Sequence, residues 1–145
     1  MNEHVIIRVA AKLLFPFFLI LGIYVVTHGE ISPGGGFQGG VILAAAFILY
    51  GLVYGTDALN ARVPRPLVDA LMALGALMYA GTGFVALLLG SNFLDYSMMN
   101  LDDPGAAEAL GMSLVEYGVT ITVFSVMLTI FTHITEGKPT RPLSS

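Results

Sequence analysis

The residues able to handle ions or protons are few, and they stand at the ends of long apolar stretches. His28 and Glu30 come just before the run Ile31-Ser32-Pro33-Gly34-Gly35-Gly36-Phe37-Gln38-Gly39-Gly40. A carboxylate at a low-dielectric mouth raises the local concentration of cations. A histidine two residues earlier can tune it, because the imidazole gains charge as pH falls below about 6.5. Glu116 is a second carboxylate. Ser113-x-x-Glu116 has the spacing of a capping box at a helix start, and the alternative is a gate carboxylate for a cation. Beyond it Gly118, Thr122, Ser125, Thr129 and Thr132 recur at helical spacing as one small, hydroxylated stripe. Such a stripe reads as the wall of a hydrated ion path or as a face where membrane helices pack closely.

The glycine run admits two readings of its own. Half of its ten residues are glycine, and each glycine costs about 1 kcal/mol in a helix relative to alanine. Helix propensity therefore does not explain it. Gly36 and Gly40 share one helical face, as do Gly35 and Gly39, which suits close backbone approach. Pro33 after Ser32 reads as a helix start. The run is a tight hairpin, or a broken-helix site whose backbone faces an ion or a partner loop. It is not a phosphate-binding P-loop, which needs a lysine after its glycines.

Several chemistries drop out. There is no cysteine, so thiolate metal sites, iron–sulfur clusters and disulfides are excluded. His28 and His133 fall at opposite ends of the apolar layer, about 30 Å apart in depth, and cannot share a haem or a zinc ion. No cofactor and no metal is expected. No basic, aromatic-interleaved patch points to nucleic acid.

The positioning elements follow from hydropathy. Of the 145 residues 56% are hydrophobic and 11% charged, a membrane composition. Apolar spans are predicted at 5–27, 37–54, 67–89 and 113–134, each about 27–35 Å long as a helix. Pro16 cannot donate to the Lys12 carbonyl, so a kink is expected in the first span. Residues 57–66 read as a polar loop and 90–112 as a longer acidic one, with Asp-Pro-Gly at 103–105 as a turn signal. Asp69, Ala73, Ala76, Ala80 and Gly83 form a small-residue stripe on the third span, and Gly51 and Gly55 add a GxxxG on the second. The fold class is thus an all-α integral membrane protein with four transmembrane helices. Residues 1–137 form one transmembrane domain and 138–145 a flexible tail. All six basic residues (Arg8, Lys12, Arg62, Arg65, Lys138 and Arg141) fall on one side of this arrangement, which places both termini in the cytoplasm. No Asp, Glu, Lys, Arg or His falls at the middle of any span, so transport by this chain alone is not expected.

The sequence Pro33-Gly34-Gly35-Gly36-Phe37-Gln38-Gly39-Gly40 between two spans resembles the signature of the B subunit of Mrp-type multisubunit sodium/proton antiporters (the MnhB type). The same subunit type is built into membrane-bound hydrogenases and related respiratory complexes. The resemblance extends over nearly the whole chain. It implies a non-catalytic accessory subunit in the cell membrane, with the ion-translocating carboxylates and lysines mainly on large partner subunits. Its partners would be the other subunits, the bilayer and, at a path, sodium and protons. The resemblance marks Pro33 and Phe37 as important. A histidine common in that family three residues before the proline is replaced here by Glu30, with His28 two residues earlier. Gln38 resembles the hydrogenase-associated branch.

The one-sided basic residues generate a direct test. Cysteines placed at Ser97 and Ser144 are expected to react with an impermeant thiol reagent from opposite sides of sealed vesicles. Labelling of both from one side would overturn the four-span arrangement.

Overall fold

The computed structural model describes residues 2–29, 35–90, 92–95 and 104–136. Five helices account for nearly all of them: α1 (Asn2–Thr27), α2 (Gly36–Tyr54), α3 (Thr56–Arg62), α4 (Arg65–Leu88) and α5 (Pro104–Glu136). There is no strand among the described residues. Four of the helices, all but α3, are long and apolar enough to cross a membrane. In lipid the helix satisfies every backbone polar group internally, which is why long apolar runs take this form.

The four long helices pack as a row in the order α1, α2, α5, α4. Local contacts give their directions. The Tyr54 hydroxyl donates to the Arg8 carbonyl (3.2 Å), and Phe15 meets Phe47 edge to face at 5.3 Å, so α1 and α2 are antiparallel. Gly36 lies against Glu116 and Gly51 against Phe131, so α2 and α5 run parallel. Gly75 lies against Thr122 and Arg65 is ion-paired with Glu136, so α5 and α4 are antiparallel. The start of α1 and the end of α5 therefore share one end of the row with α3 and the described basic residues. The glycine turn lies at the other.

Glycine makes these contacts possible. A methyl carbon placed on Gly75 would sit 2.7 Å from the Gly118 carbonyl oxygen and 2.8 Å from the Thr122 amide nitrogen. Both are backbone atoms of α5 and cannot swing aside. Without a strong hydrophobic force between helices in lipid, this close van der Waals contact is what holds them. Phe47, on α2, joins both neighbours, touching Phe15 of α1 and Phe124 of α5 at ring distances of 5.3 and 5.4 Å.

Several expectations are corrected. The segment read as a polar loop at 57–66 contains α3. Asp57 in its first turn and Arg62 in its last suit the helix dipole, and Leu59, 2% exposed, anchors it beside Gly51. Gly55 joins α2 to α3 at φ 93°, ψ 157°, a region essentially reserved for glycine. Nothing lies within 4 Å of where its Cβ would be, so Gly55 serves the turn and not a packing motif with Gly51. Pro104 opens α5 at a position where proline's missing N–H is harmless, rather than lying in a loop turn. Ser113 and Glu116 consequently lie inside α5, and the capping-box reading fails. On α4 the packed face is Val68, Gly75, Thr82, Gly83 and Ala86. Of the stripe singled out by spacing, Ala73 and Ala76 are exposed, whereas Gly83 is buried against Phe93 and Asp69 lines a cavity between α3, α4 and α5, so the stripe does not coincide with the face on α5. α1 stays helical on both sides of Pro16.

The contrast between two α4 glycines is testable. Gly75→Val should loosen α4 from α5 at a cost of about 1–3 kcal/mol, the usual range for overpacking. Gly81, with nothing within 4 Å of its Cβ position, should accept alanine with no loss and a gain of at most about 1 kcal/mol. Unfolding of the two variants in mixed micelles by denaturing detergent reads both, and equal behaviour would contradict the packing described.

Candidate functional site

The site forms where α5 crosses the start of α2. Gly35 is the N-cap of α2 in extended conformation, with no side-chain cap. Gly36 and Gly40 are buried against α5. A Cβ on Gly36 would lie 3.0 Å from both the Glu116 carbonyl carbon and the Thr120 hydroxyl oxygen. One on Gly40 would lie 2.8 Å from the Thr120 carbonyl oxygen. Gly39 turns to the other side and packs on Val26 of α1. Glycines of one short run thus serve two different neighbours, Gly36 and Gly40 facing α5 and Gly39 facing α1.

Glu116 is the ionisable group of this junction. Its backbone fills the space beside Gly36, and its side chain continues toward the end of α1. A Cβ on Gly29 would lie 2.7 Å from the Glu116 carboxyl carbon and 2.8 Å from Oε2, and one on Gly35 would lie 3.1 Å from Oε1. The carboxylate therefore sits in a notch between the last turn of α1 and the first of α2. The first turn of α2 has no acidic residue of its own. A negative charge from α5 beside this helix N-terminus is electrostatically favourable. Glu116 is only half-buried.

The remaining candidates fall into separate places. Phe37 is 63% exposed and Gln38 is exposed beside it, so both project away from the row. His28 turns back onto α1. Its Nδ1 lies 3.1 Å from the Tyr24 carbonyl oxygen, which can only accept, so Nδ1 carries the proton. Its ring stacks on Tyr24 at 4.2 Å. Glu30, Pro33 and Gly34 lie outside the described residues, as does the proposed pairing of His28 with Glu30.

The hydroxyl row lies on the opposite side of α5 from Glu116. Thr122 faces Gly75 of α4, Ser125 is fully buried, and Thr129 lies further along. Their hydroxyls donate to the carbonyls four residues back, at 2.8 Å from Thr122 and Ser125 and 2.9 Å from Thr129. The hydroxyl protons are thereby committed to the helix, and the oxygens keep lone pairs. The structure does not bring this row to Glu116. It brings Thr129 and Thr132 to a cavity of about 180 Å³ between α3, α4 and α5, with Asn60, Asp69 and His133 also in its lining. His133 Nδ1 donates to the Thr129 carbonyl (2.8 Å), which leaves Nε2 as an acceptor.

Gly29 and the Asp69 cavity were not singled out by spacing. The available signal for Gly29 was Pro104, since a helix beginning there runs past residue 116 and brings it alongside α2.

The notch predicts a pairwise coupling. Gly29→Ala should destabilise the protein by about 1–3 kcal/mol by pressing on the Glu116 carboxylate. Because that carboxylate is the end of a flexible side chain, most of the cost should vanish in a Glu116→Ala background, giving a coupling energy above about 0.5 kcal/mol in a double-mutant cycle. Strict additivity would place the carboxylate elsewhere.

Residues 6–129 match the family described as a domain related to the MnhB subunit of Na+/H+ antiporter. A Staphylococcus haemolyticus protein named as antiporter subunit mnhB2 is 33% identical over 139 residues, covering 94% of this chain and 98% of its own. Similarly named proteins of Staphylococcus epidermidis and of Staphylococcus aureus strain MRSA252 are each 31% identical, over 139 and 141 residues, with the same coverage. Glycine-notched helices at the signature and similarity along nearly the full length agree: this chain belongs to the MnhB family.

Proposed function

We propose that the chain is an accessory, non-catalytic subunit of a multisubunit sodium/proton antiporter in the cell membrane, with both termini cytoplasmic and Glu116 at the mouth of a cation path. The observation that carries this reading is the seat of Glu116 in the glycine signature of an MnhB-family chain. The accessory role is supported by what the spans lack. Residues 13–27, 36–54, 70–88 and 117–132 contain no Asp, Glu, Lys, Arg or His, and those are the side chains that relay protons or bind sodium inside membranes. The translocating groups then belong to partner subunits. Thr122 and Ser125 contribute helix packing, and Thr129 adds polar surface to the Asp69 cavity. Pro33, Gly34, Phe37 and Gln38 offer contact surface to a neighbouring subunit. Gln38 favours a redox-driven complex of the membrane-bound hydrogenase type as the setting, and the subunits that co-purify with the chain decide between that and a free-standing antiporter.

Sodium/proton exchange in vesicles tests the proposal. The isolated chain should exchange nothing. In the assembled complex Glu116→Gln should raise the sodium concentration for half-maximal exchange about two- to fivefold, the equivalent of losing about 0.5–1 kcal/mol of attraction. Complex abundance should not change. A sodium titration superimposable on wild type would remove Glu116 from ion handling, and exchange by the chain alone would overturn the accessory role.

A further inference from the structure

At the basic end of the row a cavity of about 220 Å³ opens between α1 and the elbow where α2 meets α3. Its lining is Ala11, Lys12, Phe15, Tyr50, Tyr54 and Arg62. Two cations face it from different elements, Lys12 from α1 and Arg62 from the last turn of α3. No carboxylate lines it, and neither cation forms an ion pair with a described residue. The cavity at the other side of α3 differs in this respect, since it contains Asp69 and its Arg65 is paired with Glu136.

The walls are held in place. The Arg62 guanidinium lies 4.7 Å above the centre of the Tyr50 ring, a cation–π contact that ties α3 to α2. Tyr50 is in ring contact with Tyr54 (4.7 Å) and Phe15 (5.9 Å). The Tyr54 hydroxyl bridges to the Arg8 carbonyl on α1. Arg62 is thereby held facing the cavity that Lys12 enters from α1, and an anion between the two cations is favourable to both. The cavity is also amphipathic, with cations on two sides and three aromatic rings between them. Tyrosines with neighbouring Lys and Arg at a helix end are the pattern of the membrane–water interface, where the available anion is a lipid phosphate.

We propose that this cavity binds the headgroup phosphate of an anionic phospholipid, with Lys12 and Arg62 as its charge partners and Phe15, Tyr50 and Tyr54 seating the glycerol and first acyl carbons. Basic cavities between transmembrane helices hold anionic headgroups in this way. Pro16 adds to the site, because it has no N–H to return to the Lys12 carbonyl and so leaves an acceptor at this level for a headgroup hydroxyl. The lipid staples α1 to the α2–α3 elbow at the end of the row opposite the glycine notch.

Native mass spectrometry of the full chain in detergent, titrated with dioleoylphosphatidylglycerol or dioleoylphosphatidylcholine, tests this. The anionic lipid should bind at a concentration at least tenfold lower. Lys12→Gln and Arg62→Gln should each weaken it about fivefold, and the double variant about 25-fold. Lys12→Arg should retain it, which separates loss of charge from loss of fold. Arg65→Gln, a charge removed from the same end but from the other cavity, should change the affinity less than twofold. Equal binding of the two lipids, or equal losses in Arg65→Gln and Arg62→Gln, would reduce the effect to general surface attraction and overturn the site. Displacement of the bound lipid by millimolar inorganic phosphate would make it a site for free phosphate and overturn the lipid assignment.

Discussion

The close approach of α2 and α5 is the contact on which the rest of the structure depends. These two helices run parallel and meet backbone to backbone at Gly36 and Gly40, with the Glu116 and Thr120 carbonyl groups filling the room that side chains would need. Lipid tails supply no hydrophobic force between such helices, so the gain comes chiefly from van der Waals contact over small residues. A parallel pair also cannot be joined by a short turn. The chain therefore leaves α2, turns through α3 and returns along the antiparallel α4 to the end where α5 begins.

Centring the fold on α2 and α5 leaves the outer helices with one main neighbour each. α1 exposes Ile6, Phe17 and Ile20, and α4 exposes Leu77, Phe84 and Leu88. A soluble protein could not present such surfaces. In a membrane they cost little against lipid tails and remain available to other subunits. The row has no enclosed centre of its own in which to hide a charged relay. This agrees with the absence of ionisable residues from the middle of its spans.

What could be read from the residues alone was set by how local the physics is. Apolar length is a local property, and the four spans were legible from it. The Gly36–Gly40 face was legible as periodicity, though not the neighbour it meets, whereas Gly35 stands before the first turn of α2 and shares no helical face with Gly39. The reach of α5 was not, because Pro104 has the same appearance at a loop turn and at the first position of a helix. That ambiguity moved Glu116 from a cap to a helix interior and hid its meeting with Gly29, which lies 87 positions away in the chain. The stripe on α4 was only partly matched for a related reason. Helical spacing marks faces, but Ala73 lies on the stripe and Gly75 off it, and only the position of α5 decides which of them is covered. Asp69 was legible as a carboxylate near a helix start, while its cavity depends on α3, whose seven residues are too short to announce themselves by periodicity.

The two polar regions of α5 bear on how an ion could use this subunit. Glu116 faces α2 at the glycine end, whereas Thr122 faces Gly75 of α4 and Thr129 shares a cavity with Asp69 and His133 at the basic end. Among the described residues no polar side chain connects the two through the interior, since the α2–α5 contact between them is closed by Gly40, Val123, Phe47 and Phe124. The hydroxyl protons of the row are given to backbone carbonyls, and the oxygens keep lone pairs. An ion held at Glu116 would have to round the surface of α5 to reach the Asp69 cavity, across apolar side chains exposed to whatever lies beside the row. A continuous path between the two regions would therefore need a polar surface from a neighbouring subunit.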